Sequence, residues 1–141
     1  MTQREKVYQK YDGHCAYCGR EITIKEMQVD HKHPKHLANW VKSENMRKLY
    51  EIAPDINGIN NLMPSCRRCN HYKRGELLEN FRKMMLTIHE RLLKIYIVKV
   101  AVDYGIIKIT PFSGKFYFET IVSSNRDDKI IKKRTDNEAG L

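Results

Sequence analysis

The sequence predicts a small α+β domain, in which a two-stranded antiparallel ribbon and a helix are flanked by further helices. Three observations predict it. Two Cys-x-x-Cys pairs, Cys15–Cys18 and Cys66–Cys69, bracket two short stretches of β-favouring residues, the first ending at Val29-Asp30-His31. Beyond the second pair, Leu77, Leu78, Phe81, Met84, Met85, Ile88, Leu92 and Ile95 recur in steps of three and four, the helical period. The length, 141 residues, suits one modest domain.

Each element follows in chain order. Thr2 and Glu5 have the spacing of a capping box, so a short helix is expected to about Tyr11, with Val7, Tyr8 and Tyr11 facing inward. Asp12-Gly13 ends it. Cys15-Ala16-Tyr17-Cys18-Gly19-Arg20 reads as a knuckle whose tight backbone Gly19 permits. The run from Ile22 to His31 contains the first strand, which Pro34 stops. Leu37 to Ile52 reads as a helical insertion with Leu37, Trp40, Val41 and Leu49 as buried positions. Pro54 to Gly58 is a turn, Ile59 to Pro64 the second strand, and the second knuckle leads to a helix from about Glu76. From Tyr96 to Val102 β-branched residues crowd in, and periodicity does not separate helix from strand. Lys115 to Glu119 resembles a short strand. A single domain is expected over residues 1–122, with a core at about 12–95, an extension at about 96–122 and a disordered tail at 123–141.

Lys and Arg number 26 against 17 Asp and Glu, a balance of +9. That charge favours a polyanionic partner, nucleic acid being the commonest. No apolar run approaches the roughly 20 residues that span a bilayer, and the N-terminal residues lack an apolar signal core. A cytoplasmic protein without a membrane partner is the expectation, and there thiols stay reduced. Two Cys-x-x-Cys pairs in a reducing compartment read as one closed tetrahedral site for structural zinc, formed by Cys15, Cys18, Cys66 and Cys69. Disulfides are the alternative reading.

Asp30 and His31 carry the next signal. Histidine suits removal of a proton from water near neutral pH, and aspartate is a hard oxygen ligand for magnesium or manganese. Taken alone the dipeptide is equally an ordinary strand end. Asn70, directly after the second knuckle, offers an amide oxygen to a divalent ion, or else caps a helix. Asn61 lies on the expected second strand and can brace the loop that carries His31, or serve as a turn residue. Arg67, Arg68, Lys73 and Arg74 cluster at the second knuckle as candidate phosphate-backbone contacts, which Lys32 and Lys35 would extend; a solvated basic face is the other reading.

The order Cys-x-x-Cys, Val29-Asp30-His31, Asn61-Leu62, Cys66-x-x-Cys69-Asn70-x-x-Lys73 resembles the HNH endonuclease family over roughly residues 12–76. The resemblance implies a ββα-metal core (the HNH or His-Me finger) with a structural zinc site and flanking helices. It implies that His31 is the general base, that Asp30 and Asn70 hold a catalytic Mg2+ or Mn2+, and that Asn61 fixes the loop bearing the base. The substrate it implies is nucleic acid, foremost double-stranded DNA. Positions 32–60, 29 residues, separate His31 from Asn61, more than in compact members, and the usual glycine-rich turn is absent. His33, His36 and His71 lie close by and offer alternative ligands or bases. An RNA-directed nuclease, or a zinc-ribbon module that binds nucleic acid or protein without cutting, are the competing readings.

Overall fold

A computed structural model describes residues 1–36, 43–49 and 55–121. Helix α1 (Gln3–Gln9) opens on the capping box that the sequence announces. The Thr2 hydroxyl accepts from the Glu5 amide, and the Glu5 carboxylate accepts from the Thr2 amide. Val7 is buried, with Tyr8 and Tyr11 packed beside it. Asp12, at φ +51°, and Gly13, at φ +76°, then turn the chain. A Cβ at Gly13 would sit 2.7 Å from the Tyr8 hydroxyl, which glycine avoids.

Strand β1 (Gln28–His31) pairs antiparallel with β2 (Leu62–Ser65), with Asp30 opposite Met63 and His31 opposite Leu62. β2 starts three residues later than its β-favouring composition suggests. Residues 55–61 are taken up by a turn, closed by the Gly58 amide on the Asp55 carbonyl at 3.1 Å. Asn61 therefore sits in that turn, one residue ahead of the strand. Both faces of β2 are buried. The insertion supplies α2 (Glu44–Leu49), which buries none of its residues; Leu49 is 75 % exposed, not a core position. Leu37, Trp40 and Val41 lie outside the described residues, as does the expected tail over 123–141.

The second knuckle is itself the start of a helix, α3 (Arg67–Lys73). Cys66 is its N-cap, its sulfur accepting from the Cys69 amide at 3.3 Å. Asn70 is thus an interior residue of this helix, neither its cap nor the opening of the next one. The long helix expected from Glu76 is divided into α4 (Leu78–Leu86) and α5 (Ile88–Leu92). Thr87 marks the break, its hydroxyl donating back to the Met84 carbonyl at 2.9 Å. The ambiguous segment is helical, α6 (Tyr96–Asp103), and no residue of it is buried. No helix among the described residues is long and apolar enough to cross a membrane.

Residues 117–121 form a helical turn, where a strand was expected. Phe116 is buried and stacks on Phe81 at 5.1 Å between ring centroids, while Tyr17 meets both rings edge-on. The Phe118 amide donates to the Ala16 carbonyl, and the Ala16 amide to the Pro64 carbonyl, each at 2.8 Å. Ala16 thereby links β2 to the last described segment. The supposed extension supplies part of the core, because a chain with so few large apolar residues must draw aromatics from wherever it has them.

Candidate active site

Cys15 and Cys18 come from the first knuckle, Cys66 and Cys69 from the start of α3. Their four sulfurs lie within 4.8 Å of one another, with Cys18 and Cys66 3.9 Å apart. Four sulfurs about 2.3 Å from a tetrahedral zinc would stand about 3.8 Å apart, so the donor set and its spacing fit that ion. All four thiols are free, and 3.9 Å is far beyond a disulfide bond. Their titrations are tied together. Hydrogen bonds from Cys18 and Cys69 hold the Cys15 thiol low, and the same contacts push Cys18 and Cys69 up. Four cysteine sulfurs this close suit a shared cation, which would hold them as thiolates. Gly19, at φ +80°, completes the first knuckle where a Cβ would lie 2.7 Å from the Tyr117 ring.

At the end of β1, Asp30 is 7 % exposed and its Oδ2 has two partners. The Tyr17 hydroxyl donates to it at 2.5 Å, and the Lys73 ammonium lies 3.1 Å away. Burial, and after it the Asp30 carboxylate, push the Tyr17 phenol well above its ordinary value, so it stays a donor. Among the described residues, no hydrogen bond holds the second oxygen, Oδ1. Lys73 is 0 % exposed and also donates to the His31 carbonyl at 3.0 Å. It is therefore removed from the set of phosphate contacts: its ammonium is inside, neutralising Asp30 and fixing the strand end. The helical period explains why. Cys66, Cys69 and Lys73 share one face of α3, the face on which the four sulfurs gather.

Asn70 lies on α3 one turn before Lys73, as Gln28 lies two residues before Asp30 on β1. Its amide donates to Gln28 Oε1 at 2.5 Å, and its own oxygen carries no hydrogen bond among the described residues. Asp30 and Asn70 thus each present one open, hard oxygen on the facing surfaces of β1 and α3, a donor type that fits magnesium or manganese.

Asn61 is 0 % exposed. Its oxygen accepts from the His33 amide at 2.9 Å, and its NH2 donates to the carbonyls of His33, at 3.1 Å, and Ile56, at 2.8 Å. One side chain ties the segment after His31 to the turn before β2. The His31 ring is half-buried, with Nε2 3.0 Å from Asn57 Oδ1. In the tautomer that donates from Nε2 to Asn57 Oδ1, Nδ1 is the nitrogen without a proton. Asn57 was missed from the sequence, where it reads as one more turn residue; only the pairing of β1 with β2 carries it to His31.

The Arg67, Arg68 and Arg74 side chains are exposed, as expected of phosphate contacts, and so are His36 and His71. Among the described residues, only the four cysteines gather as three or more His, Cys, Asp or Glu ligands, so His33 and His36 do not join Asp30 in such a cluster.

A comparison with curated proteins and one with solved structures found no match. A family model described as HNH endonuclease matches residues 15–76, a span that runs from the first knuckle cysteine through both strands and α3. The two-stranded sheet, the helix after it and the four-cysteine cluster fit the ββα-metal fold of that family. Residues 15–76 are thus similar to the HNH endonuclease family, the family that the order of cysteine pairs, Asp30-His31, Asn61 and Asn70 resembles.

Proposed function

We propose that the protein is a metal-dependent endonuclease that hydrolyses phosphodiester bonds in double-stranded DNA, with His31 as its general base. The observation that carries this reading is the His31 imidazole, anchored through Nε2 to Asn57 with no hydrogen bond to Nδ1 among the described residues, at a strand end braced by Asn61 and Lys73. In this reading Nδ1 takes a proton from a water aligned with phosphorus, and the leaving 3′ oxygen departs on the opposite side. Asp30 and Asn70 would hold the divalent ion through Asp30 Oδ1 and the Asn70 amide oxygen. When bound, that ion offsets the charge that develops on the phosphoryl and leaving oxygens. Tyr17 and Lys73 keep Asp30 oriented, and Asn61 keeps the loop from swinging His31 away. The four cysteines would hold zinc as a permanent staple between the first knuckle and α3.

One observation favours a second reading, a zinc-ribbon module that binds nucleic acid without cutting: the Lys73 ammonium already neutralises Asp30, as a divalent ion otherwise would. Incubating supercoiled plasmid with the zinc-loaded protein, with and without Mg2+ or Mn2+, separates the two. Cleavage that needs the added ion and disappears in His31→Ala supports the endonuclease. Binding without cleavage under either ion supports the module, and cleavage of RNA alone would reassign the substrate.

A further inference from the structure

Arg20 lies two residues beyond Cys18, Arg67 and Arg68 fill the interval between Cys66 and Cys69, and His71 follows one turn later on α3. These four side chains line one open hollow of about 400 Å³. No acidic residue lines it. Among the described residues, no hydrogen bond or ion pair holds any of the four. Other arginines are committed elsewhere: Arg4 to the carbonyls of Ile24 and Met27, Arg82 to Glu79 and Glu119. The knuckles lie 48 residues apart, between Cys18 and Cys66, and the four-cysteine cluster, with the Ala16–Pro64 hydrogen bond, brings Arg20 to the other two.

We propose that this hollow is a binding seat for the phosphodiester backbone of nucleic acid, built jointly by the two knuckles. Guanidinium forks match phosphate oxygens in pairs, and the imidazole adds one further donor. The seat is continuous with the candidate active site. On α3, Arg67 precedes Asn70 by three residues and His71 by four, and side chains three or four apart stand about 5–6 Å from one another. A strand whose scissile phosphate lies at Asn70 therefore presents a neighbouring phosphate to Arg67 and His71, with Arg20 and Arg68 beyond. The four-cysteine cluster then has a second role: it assembles this seat as well as the fold. The proposal rests on the endonuclease reading for the identity of the polyanion, and not for the existence of the seat.

The test is the salt dependence of binding by the zinc-loaded full chain in a His31→Ala background without added magnesium. A short fluorescein-labelled DNA duplex is followed by anisotropy over a KCl series. Each phosphate contact contributes about 0.9 to the slope of log affinity against log salt. Arg20→Ala with Arg67→Ala should flatten that slope by about 1.8, equally on duplexes of unrelated sequence. The charge-keeping pair Arg20→Lys with Arg67→Lys should retain it, and Lys25→Ala with Lys83→Ala, exposed elsewhere, should leave it unchanged. A slope unaltered by the first pair overturns the seat. So does an equal loss in the lysine pair, which would trace the effect to damaged structure. The two readings fail separately. A wild type that never cleaves, with the slope still lost, sinks the endonuclease alone; normal cleavage with an unaltered slope sinks the seat alone.

Discussion

Replacing Lys73 by Met removes one charge and almost no volume, from a side chain that has no exposed surface. The ammonium lies 3.1 Å from Asp30 Oδ2, itself in a residue only 7 % exposed. At an effective dielectric near 20, two unit charges at that separation attract by about 5 kcal/mol. Removing one member of a buried pair costs about 3–5 kcal/mol, because the remaining charge stays desolvated. The His31 carbonyl loses its donor as well, for about 1 kcal/mol more. The Tyr17 hydroxyl still reaches Asp30, which keeps the loss towards the lower end. Set against a typical domain stability of about 5–15 kcal/mol, Lys73→Met should be folded but marginal. Urea unfolding of the zinc-loaded protein, followed by circular dichroism, reads the difference directly. Adding Asp30→Asn removes the stranded charge, so the double variant should recover most of the loss even though it has lost the pair. A single variant that loses less than about 1 kcal/mol would refute a buried charge pair at this site. A double variant no more stable than the single would refute the claim that the uncompensated carboxylate is the cause.

Three further outcomes follow from the geometry. Asn57→Ala frees the His31 ring, and loss of alignment at the proposed general base should lower kcat on the order of 10- to 100-fold with KM little changed; single-turnover cleavage within twofold of wild type would contradict it. Withdrawal of zinc by a chelator should unfold the domain, since the first knuckle carries Tyr17 at the centre of the aromatic core. Helical ellipticity and zinc release, measured together, should fall in one transition. Lys10 donates to the carbonyls of Ile59 and Leu62, and burial, with Lys32 nearby, lowers its ammonium to about 8. The unfolded chain therefore holds this proton to higher pH than the folded one, and the contribution of Lys10 to stability rises from about pH 8 towards the unfolded value near 10.5. Lys10→Met should abolish that pH-dependent part, which parallel urea titrations of the two proteins across this range will detect.

The local signals were legible in proportion to how local their physics is. Thr2 and Glu5 specify a helix start through contacts three residues apart, and the spacing of each cysteine pair specifies a metal-binding turn. Periodicity was a poorer guide beyond α3. The apolar steps from Leu77 to Ile95 read as one helix, whereas the Thr87 hydroxyl bends back onto the Met84 carbonyl and ends the first of two. Leu49 and α6 show the opposite failure, since the apolar residues of a helical pattern are not buried where their helix buries none of its residues.

In the candidate site, the cysteines, Asp30, His31, Asn61 and Asn70 were singled out by their order and spacing taken together with the HNH resemblance, since sulfur, imidazole, carboxylate and amide donors each have distinct chemistry but each alone also reads as an ordinary structural residue. Which of them face inward, and what they touch, belongs to the tertiary structure. Lys73 looked like one more surface cation beside Arg74. The inward turn of Cys66 and Cys69 on α3 commits the residue one turn later to the same buried face, and there it meets Asp30 across from β1. Asn57 and Arg20 carry no signature in the chain, and they reach His31 and the Arg67–Arg68 hollow only through pairing and clustering of distant segments. Side-chain chemistry is a property of a residue, legible one letter at a time. Burial and partnership are properties of pairs separated by tens of residues, and only the closed fold brings those pairs together.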